Sequence, residues 1–331
     1  MIGYLRRNVI LLFLAACSFA GCLSRTDKRT GEIIIFHAGS LSVPFKEIAD
    51  IYQEKNPGIM VLSEPAGSLV CARKVTELKR PCDIVASADY FVIDELLIPE
   101  YASWAVRFST NELVIAYQPK AKHSDEISSE NWYEILMRDD VIFGRSDPDA
   151  DPCGYRTVML FKLAEKYYRV NGLADKMTAK NRDFIRPKEV DLIALVESNA
   201  IDYMFQYKSV AIQHGLNYIA LPSEINLGNP NNNTLYSSVS LEVTGSSPGS
   251  RMTVRGEYIN YSLTVLKDAP NEEAAIDFVS FLLSPAGMEI LRKNGQDPLT
   301  PLISEQPDLV PEKLRKYLVT GQKGNTTDDK E

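Results

Sequence analysis

The segment most informative about the fold reads Asp147-Pro148-Asp149-Ala150-Asp151-Pro152-Cys153-Gly154-Tyr155-Arg156. It follows a short apolar run, residues 141–144, and precedes a segment whose apolar side chains recur at helical spacing. That buried face is predicted to comprise Leu160, Leu163, Ala164 and Tyr167. Asp151 is predicted to be the N-cap and Pro152 the first helical residue, so a carboxylate and free backbone N–H groups would meet at the positive end of a helix. Taken alone, the segment indicates a well-capped helix after a strand.

Three units with the same order of strand, loop and helix are predicted upstream. Their strands are residues 33–37, 59–62 and 83–86, and this alternation is typical of βαβ units around a parallel sheet. The loops after the first two strands contain Gly39-Ser40 and Gly67-Ser68. Ligands bind such sheets at the carboxyl ends of strands, where glycine lets the backbone come close and serine supplies a hydroxyl. We therefore predict an anion-binding cradle at Gly39, Ser40 and Ser68, although serine is also a common N-cap.

The remaining elements are predicted from the same periodicities. Helices are expected at 132–137, from Pro187 onward, at 274–283 and at 287–291, and the helix after Ser68 is expected to bury Cys71, Val75 and Leu78. Strands are expected at 111–117, 201–205, 239–243 and 258–266, whereas residues 171–184 are interpreted as irregular and polar. Glu189 falls in a first helical turn, where the helix dipole favours a carboxylate whatever its function.

Residues 1–22 are predicted to be a lipoprotein signal peptide. Arg6 and Arg7 begin it, an apolar run follows at residues 9–16, and small residues precede both Cys17 and Cys22. Either cysteine would carry the lipid, and an ordinary cleaved signal is the alternative. The apolar run is shorter than the roughly 20 residues that a membrane-spanning helix needs. Residues 23–31 would form a tether and residues 319–331 a disordered tail.

The composition restricts the classes of partner and site. The 331 residues carry a formal net charge of −8 without a cluster of Lys and Arg, which argues against nucleic-acid binding. The three histidines show no ligand spacing with the cysteines, so no zinc site is predicted. Cys71 and Cys82 bracket a predicted helix and could form a disulfide in an exported protein, but their spacing does not establish the geometry. Cys153 would remain a free, buried thiol.

Seven segments, taken together, resemble the molybdate/tungstate-binding proteins of ABC importers, specifically the archaeal-type tungstate-binding group. The resemblance runs in order from about residue 33 to Pro301. The segments are Phe36-His37-Ala38-Gly39-Ser40-Leu41, Pro65-Ala66-Gly67-Ser68, Lys74-Val75-Thr76-Glu77-Leu78, Asp83-Ile84-Val85-Ala86-Ser87-Ala88-Asp89-Tyr90, Asn131-Trp132-Tyr133-Glu134-Ile135-Leu136, Asp151-Pro152-Cys153-Gly154-Tyr155-Arg156 and Tyr207-Lys208-Ser209-Val210-Ala211.

This resemblance implies an α/β protein with the type II periplasmic-binding-protein fold, in which two α/β lobes joined by two crossing strands close on a tetrahedral oxyanion. The first lobe would comprise residues 32–115 and 222–318, and the second lobe residues 116–221. The resemblance also implies the residues that bind the oxyanion. They are Gly39, Ser40, Ser68, Asp151, Pro152, Cys153, Glu189 and Tyr207.

Two carboxylates beside a dianion would normally repel it. In the family that the chain resembles, both acids are direct ligands of Mo(VI) or W(VI), whose oxygen coordination expands from tetrahedral to octahedral. Sulfate and phosphate cannot expand in this way. Here the ligands would be Asp151 and Glu189, with Asp191 as the alternative to Glu189 because the segment before it looks shortened. The two carboxylates would thus attract the right ion and repel others.

The implied function is that of a periplasmic or cell-surface lipoprotein that captures tungstate or molybdate and delivers it to an ABC permease with its ATPase. It would act as a monomer, need no cofactor and catalyse no reaction. A receptor for another oxyanion, such as sulfate or phosphate, is the first alternative. An extracytoplasmic enzyme is the second, although Ser40 and nearby His37 have no evident orienting acid. The sequence does not distinguish tungstate from molybdate, because the two ions have almost the same size and charge.

Overall fold

The computed structural model describes residues 31–245 and 249–318. The predicted signal peptide, the lipid-bearing cysteine, nearly all of the tether and the C-terminal tail lie outside these residues. The strands are β1 Gly31–Ala38, β2 Ile59–Ala66, β3 Ile84–Ser87, β4 Val106–Thr110, β5 Leu113–Tyr117, β6 Phe143–Ser146, β7 Ile185–Arg186, β8 Tyr203–Tyr207, β9 Asn217–Ala220, β10 Ser240–Thr244, β11 Arg251–Arg255, β12 Asn260–Val265 and β13 Asp297–Ile303.

Helices alternate with these strands. The α-helices are α1 Ser42–Lys55, α2 Ser68–Thr76, α3 Tyr90–Leu96, α4 Trp132–Leu136, α5 Pro152–Tyr168, α6 Leu173–Ala179, α7 Ile193–Glu197, α8 Lys208–Gln213, α9 Asn233–Tyr236, α10 Glu272–Leu282, α11 Pro285–Lys293 and α12 Glu312–Arg315. Short 3₁₀ segments are Gly39–Leu41, Arg182–Phe184, Glu189–Leu192, Pro230–Asn232 and Pro307–Leu309. No single described helix is long and apolar enough to cross a membrane; α10 and α11 reach that length only together, and they are bent by 63° at their junction.

The first lobe is built on a six-stranded sheet in the order β13-β4-β12-β3-β1-β2. β1 is parallel to β2 and to β3, which confirms the predicted βαβ units. β12 is antiparallel to both β3 and β4, so the sheet as a whole is mixed. Contrary to the parallel sheet predicted from the sequence, the sheet is not parallel throughout, because β12 joins it only after the chain returns from the second lobe.

The second lobe is built on a five-stranded sheet in the order β7-β6-β8-β5-β9. The chain enters it through Asn111 and Glu112, between β4 and β5, and leaves it after β9. The two connections are bonded to each other, because the Leu113 N–H donates to the Asn226 carbonyl at 2.9 Å and Asn226 Nδ2 donates to Glu112 Oε2 at 2.7 Å. The predicted strand 111–117 therefore begins two residues late, since Asn111 and Glu112 serve the connection.

Aromatic packing holds helix α5 against the second sheet. The Phe205 ring meets the rings of Phe143, Phe161 and Trp132 edge to face, with centroid distances of 5.6, 4.9 and 5.8 Å. Such edge-to-face pairs each contribute about 0.5–1.5 kcal/mol beyond the burial of their surface. Because β8 ends at Tyr207 and α5 begins at Pro152, this packing places the N-terminus of α5 beside the end of β8.

The strand predicted at 201–205 lies two residues later, as β8, and three further predictions of local structure are wrong. Residues 171–184 contain helix α6, whose seven residues offer too few positions for a clear period. Tyr167 is 46% exposed, and the neighbouring Tyr168 packs inward on Tyr133 instead, at 4.5 Å between ring centroids. Leu78 is 66% exposed because α2 ends at Thr76. Each error concerns the end of an element or a short element, where periodicity carries little information.

The cysteines in the described residues are free and buried thiols. Cys82 Sγ donates to the Ile84 carbonyl at 3.1 Å, and Cys71 Sγ donates to the His37 carbonyl at 3.5 Å. Burial raises the pKa of both thiols to about 12. The Cys71–Cys82 disulfide, which the sequence left open, is therefore not formed in this structure.

His37 in β1 is expected to make the protein less stable in acid. Burial lowers the pKa of its ring to about 4, and its Nδ1 lies 2.8 Å from the Ala38 carbonyl. In the unfolded chain the pKa would be about 6.5, so the unfolded state binds the proton first as the pH falls. The free energy of unfolding should decrease by about 3 kcal/mol between pH 6.5 and pH 4 on account of this residue. Urea unfolding at several pH values measures the decrease.

His37→Gln should flatten this part of the pH dependence, while the same change at the exposed His214 serves as the matched control. An equal acid dependence in His37→Gln and the wild type would show that another group is responsible.

Candidate functional site

The predicted site residues lie where the carboxyl ends of the strands of both sheets face each other. In the first lobe β1 leads into Gly39 and Ser40, and β2 leads into Gly67 and Ser68. Ala38 pairs with Ala66 in the sheet register, so these two loops are neighbours. In the second lobe the loops that follow β6, β7 and β8 carry Asp151, Glu189 and the turn at Tyr207. The lobes thus meet at the edges where loops and helix N-termini converge.

Two glycines allow the lobes to approach this closely. A Cβ atom on Gly67 would lie 2.3 Å from the Ala150 carbonyl oxygen and 3.0 Å from the Pro187 carbonyl oxygen. A Cβ atom on Gly39 would lie 3.0 Å from both carboxylate oxygens of Glu189. In this structure the two lobes are therefore closed on one another, and a larger residue at either position would hold them apart.

Asp151 connects two loops of the second lobe. Its Oδ1 accepts a hydrogen bond from the Cys153 N–H at 3.2 Å, so it is the N-cap of α5 with Pro152 in the first turn, as predicted. Its Oδ2 accepts a hydrogen bond from the Glu189 N–H at 2.9 Å. The side chain is 1% exposed, and burial raises the pKa of the carboxyl above its ordinary value despite these hydrogen bonds.

Glu189 has an unusual carboxylate. The residue is 1% exposed, and within the described residues neither Oε1 nor Oε2 forms a hydrogen bond of ordinary geometry, although the Asp151 carboxyl and the Ser40 backbone are close enough to affect its pKa. Burial and then the charge of Asp151 raise the pKa of Glu189 well above its ordinary value. Its backbone is fixed, because its carbonyl accepts from Gln206 Nε2 at 3.0 Å. The ionised form of a buried carboxyl is costly, which is why the pKa is raised, and a positive centre brought by a ligand would favour ionisation.

Each of the three predicted hydroxyl oxygens can accept a hydrogen bond from within the protein, so its own proton is available to a ligand. Ser68 Oγ accepts from the Ala88 N–H at 3.0 Å. Tyr207 Oη accepts from Arg156 Nη1 at 2.9 Å, and a guanidinium group can only donate. Ser40 Oγ lies 2.9 Å from Tyr261 Oη, which lies 3.2 Å from Asn111 Nδ2.

The order of donation in this last chain follows from Asn111. Its Oδ1 accepts from the N–H of Glu112 at 3.0 Å, so its Nδ2 is the donor to Tyr261. Having accepted from Asn111, Tyr261 Oη has its own proton to donate to Ser40, and in that arrangement the Ser40 proton is available to a ligand. Hydroxyls that are fixed as donors suit an oxyanion, which only accepts.

The other predicted residues have different surroundings. Cys153 contributes its N–H to Asp151, and burial raises the pKa of its thiol well above the ordinary value, so the sulfur stays protonated. Asp191, the alternative to Glu189, is partly exposed and lies 3.5 Å from Lys188 Nζ. The structure therefore brings Gly39, Ser40, Ser68, Asp151, Pro152, Cys153, Glu189 and Tyr207 together and leaves Asp191 outside.

Several polar residues that support these hydroxyls were not predicted as site residues from the sequence. Arg156 is 4% exposed and lies 2.9 Å from Asp89 Oδ2 across the two lobes. Tyr155 Oη donates to the same Asp89 oxygen at 2.5 Å. Burial by itself would lower the pKa of Arg156, but the Asp89 carboxylate raises it above its ordinary value. A charged residue within the apolar face of α5 was the available signal.

Comparison with known proteins agrees with this geometry. Residues 33–296 match the family described as bacterial extracellular solute-binding protein. An uncharacterized solute-binding protein of Petrotoga mobilis is 47% identical, covering 91% of this chain and 94% of that protein. The molybdate/tungstate-binding protein WtpA of Pyrococcus abyssi is 46% identical, covering 90% of this chain and 93% of that protein. WtpA of Thermococcus kodakarensis is 45% identical, covering 92% and 93%.

Solved structures show the same fold at low identity. The periplasmic molybdate-binding protein of Azotobacter vinelandii superposes with a TM-score of 0.59 at 15% identity, covering 80% of this chain and 98% of that chain. The sulfate-binding protein SubI of Mycobacterium tuberculosis also gives 0.59, at 13% identity, covering 82% and 88%. The equal scores mean that the backbone alone does not select an oxyanion. The two-lobe type II periplasmic-binding-protein fold is thereby confirmed, and the chain belongs to the bacterial extracellular solute-binding family, whose members bind solutes outside the cytoplasm.

Proposed function

We propose that this protein binds tungstate or molybdate between its lobes and delivers the oxyanion to an ABC permease and its ATPase. The observation that carries the proposal is the buried carboxyl of Glu189, which lies next to Asp151 and, among the residues that the structure describes, forms no hydrogen bond of ordinary geometry. These acids stand among hydroxyls fixed as donors, so the same site offers both negative oxygens and donors. The two WtpA relatives, at 45–46% identity, are named as molybdate/tungstate-binding proteins.

The site offers hydrogen-bond donors for the oxygens of an oxyanion and carboxylate oxygens for its central atom. The oxygens of the anion would accept from Ser40, Ser68 and Tyr207 and from backbone N–H groups beside Gly39, while Pro152 and Cys153 would line the site at the start of α5. The Mo(VI) or W(VI) centre would take carboxylate oxygens of Asp151 and Glu189 as further ligands. A sulfate or phosphate centre cannot do so, and either ion would then meet two buried negative charges at close range.

The remaining parts of the proposal concern the setting of the protein. The chain would be held at the membrane by lipid on Cys17 or Cys22 and would act as a monomer without chemistry of its own. Ser40 is not arranged as a catalytic nucleophile, because its Oγ is hydrogen-bonded to Tyr261 and not to a general base. The nearby His37 ring is bonded to the Ala38 carbonyl.

Calorimetric titration of residues 26–331 with tungstate, molybdate and sulfate tests the proposal. We expect tight binding of the first two ions and none of sulfate. Asp151→Ala should abolish tungstate binding and lower the stability of the free protein by about 1 kcal/mol through loss of the N-cap. Sulfate binding together with an unaffected Asp151→Ala variant would reduce Asp151 to a helix cap and favour a general anion receptor.

A further inference from the structure

Arg156 is a buried residue of the second lobe that contacts both the first lobe and the predicted ligand-binding side chain of Tyr207. Its Nη1 donates to the Ala88 carbonyl at 2.7 Å and to Tyr207 Oη at 2.9 Å. Its Nη2 lies 2.9 Å from Asp89 Oδ2. Ala88 and Asp89 follow β3 in the first lobe, whereas Arg156 and Tyr207 belong to the second. One guanidinium group therefore bonds across the cleft and within its own lobe at once.

We propose that Arg156 is a positioning residue that couples closure of the lobes to the direction of the Tyr207 hydroxyl. Because the guanidinium donates to Tyr207 Oη, the phenolic proton must point to another acceptor, and the oxyanion would be that acceptor. The inference rests on the proposed function, since it assigns a role at the same site.

Closure and the orientation of Tyr207 are coupled because two of the hydrogen-bond partners of Arg156 belong to the other lobe. A buried guanidinium is stable only when its charge is paired and its N–H groups are satisfied. Asp89 and the Ala88 carbonyl supply this from the first lobe, so they hold Arg156 only when the lobes are closed. The planar fork of arginine can reach several acceptors in fixed directions, which a lysine ammonium cannot reproduce. Tyr207 is thus fixed as a donor in the closed protein.

Two other contacts across the cleft provide comparisons. Tyr155 Oη also bonds to Asp89, but within the described residues it makes no hydrogen bond to Tyr207. Arg251 and Asp149 form a pair at 2.9 Å with side chains 48% and 43% exposed. Solvent screens such an exposed pair, so it should contribute little to closure. Tyr155 is therefore the matched control for Arg156, and Arg251 is the control for charge alone.

A double-mutant cycle in tungstate affinity tests the proposal. Arg156→Gln should weaken binding on the order of 100-fold and Tyr207→Phe about 10-fold, while Tyr207→Phe added to Arg156→Gln should cost less than about 3-fold more. Tyr155→Phe combined with Tyr207→Phe should be multiplicative, because Tyr155 acts on closure without touching Tyr207. Arg251→Gln should leave the affinity within about 2-fold of the wild type.

The outcomes separate the inference from the function that it rests on. A full 10-fold effect of Tyr207→Phe in the Arg156→Gln background would overturn the coupling, as would equal coupling in the Tyr155 cycle. If Arg156→Gln lacks the circular dichroism of the folded protein, Arg156→Lys takes its place in the cycle. A wild type that binds neither tungstate nor molybdate contradicts the proposed function, and the cycle is then measured with sulfate.

Discussion

Glu189→Gln should make the ligand-free protein more stable and nearly abolish tungstate binding. Glutamine has the same size as glutamate but no charge, and the backbone bond from the Glu189 N–H to Asp151 is kept. In the free protein the change replaces a buried acid whose raised pKa forces it to take up a proton at neutral pH, so the free energy of unfolding should rise by about 1 kcal/mol. With the ligand it removes a proposed metal-directed oxygen, so the affinity should fall roughly 100-fold or more, about 3 kcal/mol.

Thermal melts without ligand and calorimetric titration with tungstate measure the two effects. Asp191→Asn is the matched control, because it removes a carboxylate two residues away that lies at the surface beside Lys188. Its affinity and melting temperature should stay near the wild-type values. If Glu189→Gln binds tungstate as tightly as the wild type, Glu189 is not a ligand and the burial of its carboxyl needs another explanation.

Gly67→Ala should prevent full closure without unfolding either lobe. The backbone of Gly67, with φ −60° and ψ 141°, is one that alanine adopts readily, so the change carries no local strain. The new methyl group would lie 2.3 Å from the Ala150 carbonyl, however, and this contact exists only between closed lobes. Overpacking of this kind costs about 1–3 kcal/mol, which corresponds to an affinity loss of roughly 10- to 100-fold.

The loss would act on the population of the closed form, since the apparent affinity scales with the fraction that is competent to bind. Small-angle scattering with and without tungstate should show compaction in the wild type and little in Gly67→Ala. Gly31→Ala is the control, because its Cβ would meet only the Asn271 side chain, at 3.2 Å, and no atom of the second lobe. If Gly67→Ala compacts and binds like the wild type, the loops around Gly67 and Ala150 can move apart to accept the methyl group, and the prediction is wrong.

The candidate site could be predicted from the sequence to the extent that short segments carry it. The Gly39-Ser40 and Gly67-Ser68 loops and the Asp151 cap were predicted from local patterns, whereas Tyr207 was chosen from the resemblance, and the strand predicted at 201–205 runs from Tyr203 to Tyr207. The helix α6 and the exposed Tyr167 were missed, because a seven-residue element and a final helical turn have too few neighbours to define a face. The resemblance to the oxyanion-binding family supplied the choice of Glu189, which its position in a first helical turn would not have supported by itself.

The sequence alone determined the local elements of this protein, since strand, loop, cap and helix depend on residues within a few positions of one another. Only the tertiary structure decided which of those elements face each other. Arg156 reaches Ala88 across 68 residues and Tyr207 across 51 residues. Such pairs depend on the order of strands in two sheets and on the closure of two lobes. For the same reason the buried Glu189 carboxyl lies against Gly39, while Asp191, two residues later, is partly exposed beside Lys188.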